Sequence, residues 1–441
     1  MNTRIQMTIF RYLLLALVPI WISCHQERVY IFPEEGVEIS KIESAFRVGY
    51  SMIEKNDRLY MAYYDSAHQM TLAVFDLKTG QCDYDTLPSR IGWDSHNYVT
   101  MSFDKEGYLH VSGNMHAVPL VYFRSTEPYN IHTMKEINKM TGLDEKRVTY
   151  PAFMESPDGE LVFHYRTGGS GNGSEIYNIY NVEEQSWKRL LNKPLTDGHG
   201  ERNAYMQGPI LGKDGFYHLI WVWRETPDCS TNHTLSYARS RDLKHWENIA
   251  GKQTELPITL EKTEFYVDAT PVKGGLFNPG IKLGFDSQHR PVIGYHKYDK
   301  DGNNQLYAAR YEKNGWYIKQ LTDWKYRWQF EGNGSMKTEL DIFAPQTLDN
   351  GKMAFGYRHI KEGKGEIVFD EQTFEVLGKQ EAKPAYPEKY NQLESSFPGM
   401  QPHVIVKGDY LLRWETLPAN RDRKPKGTLP APGRLMLYKW K

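Results

Sequence analysis

The sequence predicts an all-β chain folded as a seven-bladed β-propeller in a single domain, and three observations carry that reading. Seven polar turns flanked by half-apolar strands recur roughly every 50 to 75 residues. They are Asn56-Asp57-Arg58, Lys105-Glu106-Gly107, Pro157-Asp158-Gly159, Lys213-Asp214-Gly215, Ser287-Gln288-His289, Asp349-Asn350-Gly351 and Lys407-Gly408-Asp409. A third strand follows most of the hairpins, as in TLAVFDL, TLSYARS and QLYAARY. Helical periodicity is nearly absent, which favours strand-turn-strand-loop-strand units over mixed folds.

Taken in order, each first strand is a short run of alternating or continuous apolar residues rich in aromatics and β-branched side chains, the composition that fits a pleated, half-buried surface. These runs are 46–54 (FRVGYSMIE), 96–104 (HNYVTMSFD), 150–156 (YPAFMES), 205–212 (YMQGPILG), 278–286 (NPGIKLGFD), 341–348 (DIFAPQTL) and 400–406 (MQPHVIV). The second strands follow each turn: LYMAYYD, YLHVSGNMH, ELVFHYR, FYHLIWVWR, RPVIGYHKYD, KMAFGYRH and YLLRWE. The early segment 28–38 and the terminal 434–440 are expected to share the last blade, closing the ring so that no sheet edge is left open. No Pro/Ser-rich linker interrupts residues 25–441, which are therefore read as one propeller domain. The stretch 240–246 (SRDLKHW) resembles a degenerate Asp-box turn, a feature common in propellers.

Residues 1–24 read as a targeting segment. Arg4 and Arg11 precede an apolar run, 12–22 (YLLLALVPIWI), that is short for a bilayer span. It ends at Ile22-Ser23-Cys24, which looks like a bacterial lipoprotein cleavage box with Cys24 as the lipidated residue. An exported protein, periplasmic or anchored in the outer membrane by a lipid, is expected, with no other membrane contact. Cys82 and Cys229 remain to the mature chain; one pair would not organise a fold of this size. The formal net charge of -1 offers no basic excess to neutralise phosphates and argues against a nucleic-acid partner. Aromatics make up 13% of residues; core filling accounts for most of them, and flat rings also suit a carbohydrate surface.

A hairpin brings its two open ends to one side, so the start of each first strand and the end of each second strand share one rim. His96 and His116 open and close one blade by this rule, Tyr150 and Arg166 the next, and Tyr205 and Arg224 the one after. Six such residues from three adjacent blades form a convergent polar site at the channel mouth. Arg166 and Arg224 offer planar forks for a carboxylate or sulfate. His96, His116, Tyr150 and Tyr205 hold or move protons. The paired carboxylates of an ordinary glycosidase are missing, Asp65 and Asp94 being the nearest candidates. Such a set fits β-elimination at a uronic sugar: an Arg, helped by a His, neutralises the acid group, a His or Tyr base removes the C5 hydrogen, and a Tyr or His acid protonates the departing C4 oxygen. No metal or cofactor is needed for that chemistry. Separately, Cys229 and His233 have a plausible ligand spacing, and His218 or His199 would complete a structural zinc site. Calcium is the other ion that such loops accommodate.

The segments GWDSHN (92–97), HVSGNMHAVPL (110–120), YRTGGSGNG (165–173), RNAY (202–205), WVWRETPD (221–228) and SYARS (236–240) together resemble the BNR-repeat-like propeller family that includes the ulvan lyases. The resemblance implies a seven-bladed propeller that eliminates at a uronate adjoining rhamnose, acting on an anionic polysaccharide. Carried over by motif, it implies catalytic roles for His96, His116, Tyr150, Arg166 and Tyr205. His and Tyr would share the acid and base roles, while Arg and a second His neutralise the carboxylate. Arg224, Asn97 and Arg202 are expected to contact substrate. Relatives on the same propeller are α-L-rhamnosidases acting on rhamnose–glucuronate linkages, but the first-blade stretch 46–50 (FRVGY) holds no His for their chemistry. A glycan-binding surface lipoprotein without catalysis is the third reading; it has no need of His96, His116 and Tyr150 together.

Overall fold

The computed structural model describes residues 30–313 and 315–441, and there the strands gather into seven separate antiparallel sheets of four or five strands. The expected targeting segment and Cys24 lie outside the described residues. Helical structure among the described residues is limited to short 3-10 turns such as Cys229–Thr231 and Glu388–Asn391, and no helix is long and apolar enough to cross a membrane.

Each hairpin expected from the sequence is present. Its strands are Ser51–Lys55 with Arg58–Tyr64, Val99–Phe103 with Leu109–Gly113, Val148–Glu155 with Leu161–Gly169, and Asn203–Leu211 with Tyr217–Arg224. Next come Ile281–Phe285 with Pro291–Tyr298, Leu340–Ile342 and Gln346–Leu348 with Lys352–His359, and Gln401–Lys407 with Tyr410–Thr416. Several turns take left-handed backbone, at Asn56, Asp57, Gly107, Gly159, Gly215, His289, Asn350, Gly351 and Gly408, which is where Asn, Asp and Gly are tolerated. The sixth inner strand is split because the chain steps away from the sheet at Phe343, Ala344 and Pro345; the Pro345 carbonyl then packs on Gly284 of the fifth blade, where a Cβ would stand 2.0 Å from it.

The ring closes through the seventh blade, where Val37–Ile42 pairs antiparallel with the carboxy-terminal strand Gly433–Lys439. The closing strand therefore begins at Val37, at the end of the segment expected to supply it. Blades adhere through interdigitated aromatic and aliphatic side chains: Tyr60 of blade one meets Phe103 of blade two edge-on, with ring centroids 4.8 Å apart. Many tyrosines also donate across blade boundaries. Tyr64 bonds the Asn97 carbonyl at 2.7 Å, Tyr98 the Pro151 carbonyl at 3.0 Å and Tyr217 the Glu155 carbonyl at 2.9 Å. Most of the aromatic excess is therefore structural, as expected. In the Asp-box-like stretch, Asp242 accepts the Lys244 and His245 amides at 2.8 Å each and Trp246 donates to the Leu243 carbonyl. Cys82 and Cys229 are both free thiols rather than a pair.

Candidate active site

A cavity of about 1480 Å³ occupies the rim where the hairpins open. His96, His116, Tyr150, Tyr205 and Arg224 line it, so five of the six residues that strand ends assigned to one rim do meet there.

Two local backbone devices aim these side chains. Tyr150 sits at a register shift between Thr149 and Ala152 with φ of 58°, a left-handed conformation unusual for an aromatic residue. Such a bulge turns a side chain out of the strand's alternation, here toward the cavity. His116 does not close the second strand of its blade. The chain leaves the second blade at Asn114 (φ 59°), and His116–Val118 pairs with the third blade's Val148–Glu155, opposite Thr149. His116 thus bridges two blades, and its ring reaches 4.2 Å from that of His96, centroid to centroid.

Asp94 organises the pair. Its two carboxylate oxygens take His96 Nδ1 at 2.8 Å and His116 Nδ1 at 2.6 Å. Asp422, from the loop after the seventh blade's second strand, adds a second carboxylate 3.3 Å from His96 Nδ1. Burial works against charge on His96, but Asp422 and then Asp94 outweigh it and raise its pKa to about 9, so the ring is an imidazolium at neutral pH. Burial likewise opposes ionisation of Asp94, and the two His rings reverse this, holding its carboxyl well below the usual carboxylate range. His116 has Nδ1 committed to Asp94, which leaves Nε2 as the nitrogen facing the cavity; in the neutral tautomer that is a lone pair.

The tyrosines form the other wall. Tyr150 lies between His96 and Tyr205, each ring centroid 6.0 Å from its own. Burial raises the Tyr150 phenol, so it stays protonated. Tyr205 differs: burial pushes it up, but the guanidiniums of Arg224 and Arg166 and the Ser170 hydroxyl bring it below the ordinary phenol value. Arg224 Nη1 donates to the Tyr205 oxygen at 2.9 Å, and its remaining nitrogens go to Asn232 at 2.8 Å and Asn278 at 2.6 Å.

Arg166 departs from its expected place. It is 1% exposed and lies outside the cavity lining, beneath Tyr150 and Tyr205 with its guanidinium carbon 4.9 and 5.6 Å from their ring centroids. Its strand pairs Arg166 with Thr149 and Glu175, in the interior of the sheet, so the bulged Tyr150 covers it. None of its nitrogens has a hydrogen-bond partner; cation–π contact with two rings is the compensation. Asn97 is spent on Asn114, donating to its Oδ1 at 3.2 Å. Arg202 is held by Glu225 at 3.0 Å, away from the cavity.

The expected zinc ligands do not converge. His218 and His233 stand at opposite ends of one strand pair, since His233 pairs with Trp223, five residues from His218, or about 17 Å at strand spacing. His218 is taken by Tyr237 at 2.6 Å and Asp214 at 3.0 Å, His233 by Glu225 at 2.7 Å, and the Cys229 sulfur rests 4.0 Å from that of Met336. His199 is exposed, its nearest acidic neighbour Glu261 at 3.9 Å. Among the described residues, the group whose ligand atoms approach within 4.8 Å of one another is Asp94, His96, His116 and Asp422, and those atoms already bond each other.

Of the two carboxylates nearest the rim in sequence, Asp94 joins the site, whereas Asp65 caps its own turn, accepting the Ala67 and Gln69 amides. Asp422, Ser170 and Asn278 were missed. Asp422 lies 326 positions from His96 along the chain in a polar loop, with no local pattern to flag it.

A family model described as "BNR repeat-containing family member" matches residues 58–324. A curated ulvan lyase, short isoform, of Alteromonas sp. (strain LOR) is 39% identical over 142 residues, covering 30% of this chain and 25% of the relative. An ulvan lyase of Pseudoalteromonas sp. (strain PLSV) is 24% identical over 308 residues, 60% of this chain and 62% of the relative. The chain thus matches a quarter to under two thirds of these curated relatives' lengths. Among solved structures, the polysaccharide lyase Uly1 superposes with a TM-score of 0.59 at 14% identity, over 92% of this chain and 98% of that one. An ulvan lyase bound to -[GlcA(1-4)Rha3S]- gives the same TM-score and identity over 91% and 95% of the two chains.

Proposed function

Because the chain belongs to the BNR repeat-containing family, we propose that it is a polysaccharide lyase that cleaves a rhamnose-rich, uronate-containing polysaccharide of the ulvan kind by β-elimination. The observation that carries this is geometric: two imidazoles bridged by Asp94 and the ring of Tyr150 beside them converge on a single cavity.

Each step has a group suited to it. His96, charged at neutral pH, meets the uronate carboxylate and makes the C5 hydrogen acidic. Nε2 of His116, its tautomer held by Asp94, takes the C5 proton. The electron pair left at C5 forms the C4–C5 double bond as the C4–O4 bond breaks, and the Tyr150 hydroxyl delivers its proton to O4. Tyr205 and Arg224 form the wall that orients the sugar, and Arg166 acts through the two rings it supports. An ordinary glycosidase sets a carboxylate pair across the scissile bond; here Asp94 and Asp422 both face His96 instead. Export through residues 1–24, with a lipid on Cys24, would put the enzyme where such polymers are met.

Incubating the protein with ulvan and following the ultraviolet absorbance of the unsaturated uronate tests the reading. Rising absorbance supports it. Free rhamnose without absorbance would replace it with a rhamnosidase, and binding without product with a glycan-binding protein.

A further inference from the structure

The same hairpin rule can be applied to the blades that contribute nothing to the catalytic wall. Arg47 precedes the inner strand of blade one, Lys282 is the second residue of the inner strand of blade five, and Arg358 is the next-to-last residue of blade six's second strand. All three line the cavity, on the arc of blades opposite the one that carries Tyr150. Arg358 holds Asp341 at 2.6 Å, and Asp341 also accepts from Thr338. The side chains of Arg47 and Lys282 have neither a hydrogen bond nor an ion pair with any described residue. Lys337 and Glu339 also line this arc, so four cations stand against two carboxylates, an excess of two positive charges. Arg421, by contrast, is spent on the carbonyls of Glu331 and Asn333 and adds no free donor.

Lys282 is half-buried, and burial pushes its ammonium below the ordinary lysine value despite Asp341 nearby. His403, on the inner strand of blade seven between Arg358 and Arg47 in ring order, is driven to about 3 by burial and then by those two arginines, so it stays neutral. Arg47 and Arg358 reach into the cavity from exposed positions and Lys282 is half-buried, so the desolvation that an arriving anion would offset falls on Lys282. The cavity, at about 1480 Å³, exceeds the roughly 300–1,000 Å³ of a small-molecule pocket and has room for more than the reacting sugar.

We propose that Arg47, Lys282 and Arg358 form a second anion subsite, which takes an oxyanion group, a sulfate ester or a second carboxylate, on a sugar of the same polysaccharide away from the scissile bond. The inference rests on the polysaccharide reading above. It assigns substrate selection to one arc of the rim and chemistry to the other. A strand carrying regularly spaced anions would be gripped at two points across the mouth, which fixes its register over His96 and Tyr150.

The test is the Arg47→Gln/Lys282→Gln double variant, with binding measured by affinity electrophoresis and turnover by ultraviolet absorbance on ulvan and on chemically desulfated ulvan. The proposal expects binding of sulfated ulvan to weaken at least about tenfold, KM to rise in step and kcat to hold, because a charge-assisted contact remote from the bond is lost. If the loss vanishes on desulfated polymer, the subsite takes sulfate. If it persists equally on both, the subsite takes a carboxylate. Unchanged binding of both polymers would overturn the subsite. Because binding is read without turnover, a wild-type protein that binds but does not eliminate would sink the lyase reading while still testing the subsite. Circular dichroism and the melting temperature check that the double variant is folded.

Discussion

The site's charge depends on Asp422, and Asp422→Asn is the perturbation that exposes it most directly. His96 is lifted from about 6.5 to about 9 although burial opposes it. That rise of some 2.5 units is worth about 3 kcal/mol of preference for the imidazolium. Asp422 is the largest favourable contributor and Asp94 the next. Neutralising Asp422 while leaving burial intact should lower the His96 pKa by about one unit or more. Asparagine keeps an oxygen for Ser335, whose hydroxyl bonds Asp422 at 2.5 Å, so the loop stays tethered. If His96 must be charged to neutralise the uronate, wild-type activity falls as pH rises through about 9, and the variant's alkaline limb moves to lower pH by the same interval. The stability sign follows from the same shift. A raised His pKa contributes fully below the unfolded value of about 6.5 and is lost as pH climbs to about 9, so the variant loses stability mainly at the low end of that window. The assay is kcat/KM against pH on ulvan, with the His96 ring proton followed by NMR. Ser335→Ala serves as the control that disturbs the loop without removing charge. An alkaline limb at the same pH in Asp422→Asn and wild type would refute the argument.

Three further outcomes are expected. Tyr150→Phe removes the proton donor and should cut kcat by about 10²- to 10⁴-fold, the span usual for a general acid, with a melting temperature close to wild type; retained turnover would assign the acid role elsewhere. Arg166→Met removes the buried charge beneath two rings and should raise the Tyr205 phenol, read as an upward move in its ultraviolet pH titration, because Arg166 is among the charges that lower it. Leu437→Ala, at a fully buried position on the strand that closes the ring, should cost about 2–5 kcal/mol in urea unfolding without changing the pH profile of activity.

The fold was legible because a propeller is a local repeat. Turn residues such as Pro157-Asp158-Gly159 and the aromatic strands beside them each announce one hairpin, and seven hairpins leave little choice of architecture. Strand ends then mark the rim, which is how His96, Tyr150, Tyr205 and Arg224 were placed at the cavity, whereas His116 reaches it on a separate short strand paired with the third blade. What failed were statements that need the third dimension. Arg166 breaks the strand-end rule, since its strand runs on to Gly169 and the bulge at Tyr150 lays a ring over it. Cys229, His218 and His233 have a spacing that suits a metal, yet the register of one strand pair keeps the two histidines at its opposite ends.

Asp422 shows why a functional group can be invisible in sequence and still decide the chemistry. Asp94 alone, shared between two imidazoles 4.2 Å apart, has one negative charge for two rings and would leave them equivalent. A second carboxylate on one side breaks that symmetry: it raises the pKa of His96, while the other ring is bonded to Asp94 alone. On the proposed mechanism this is what would make a cation and a base from two copies of the same side chain. The loop that carries Asp422 is tied to the sixth blade through Ser335 and through Arg421, which bonds the carbonyls of Glu331 and Asn333. The proposed division of labour between the two histidines therefore depends on ring closure, because blades two and three hold the rings and the loop of blade seven supplies the charge that tells them apart.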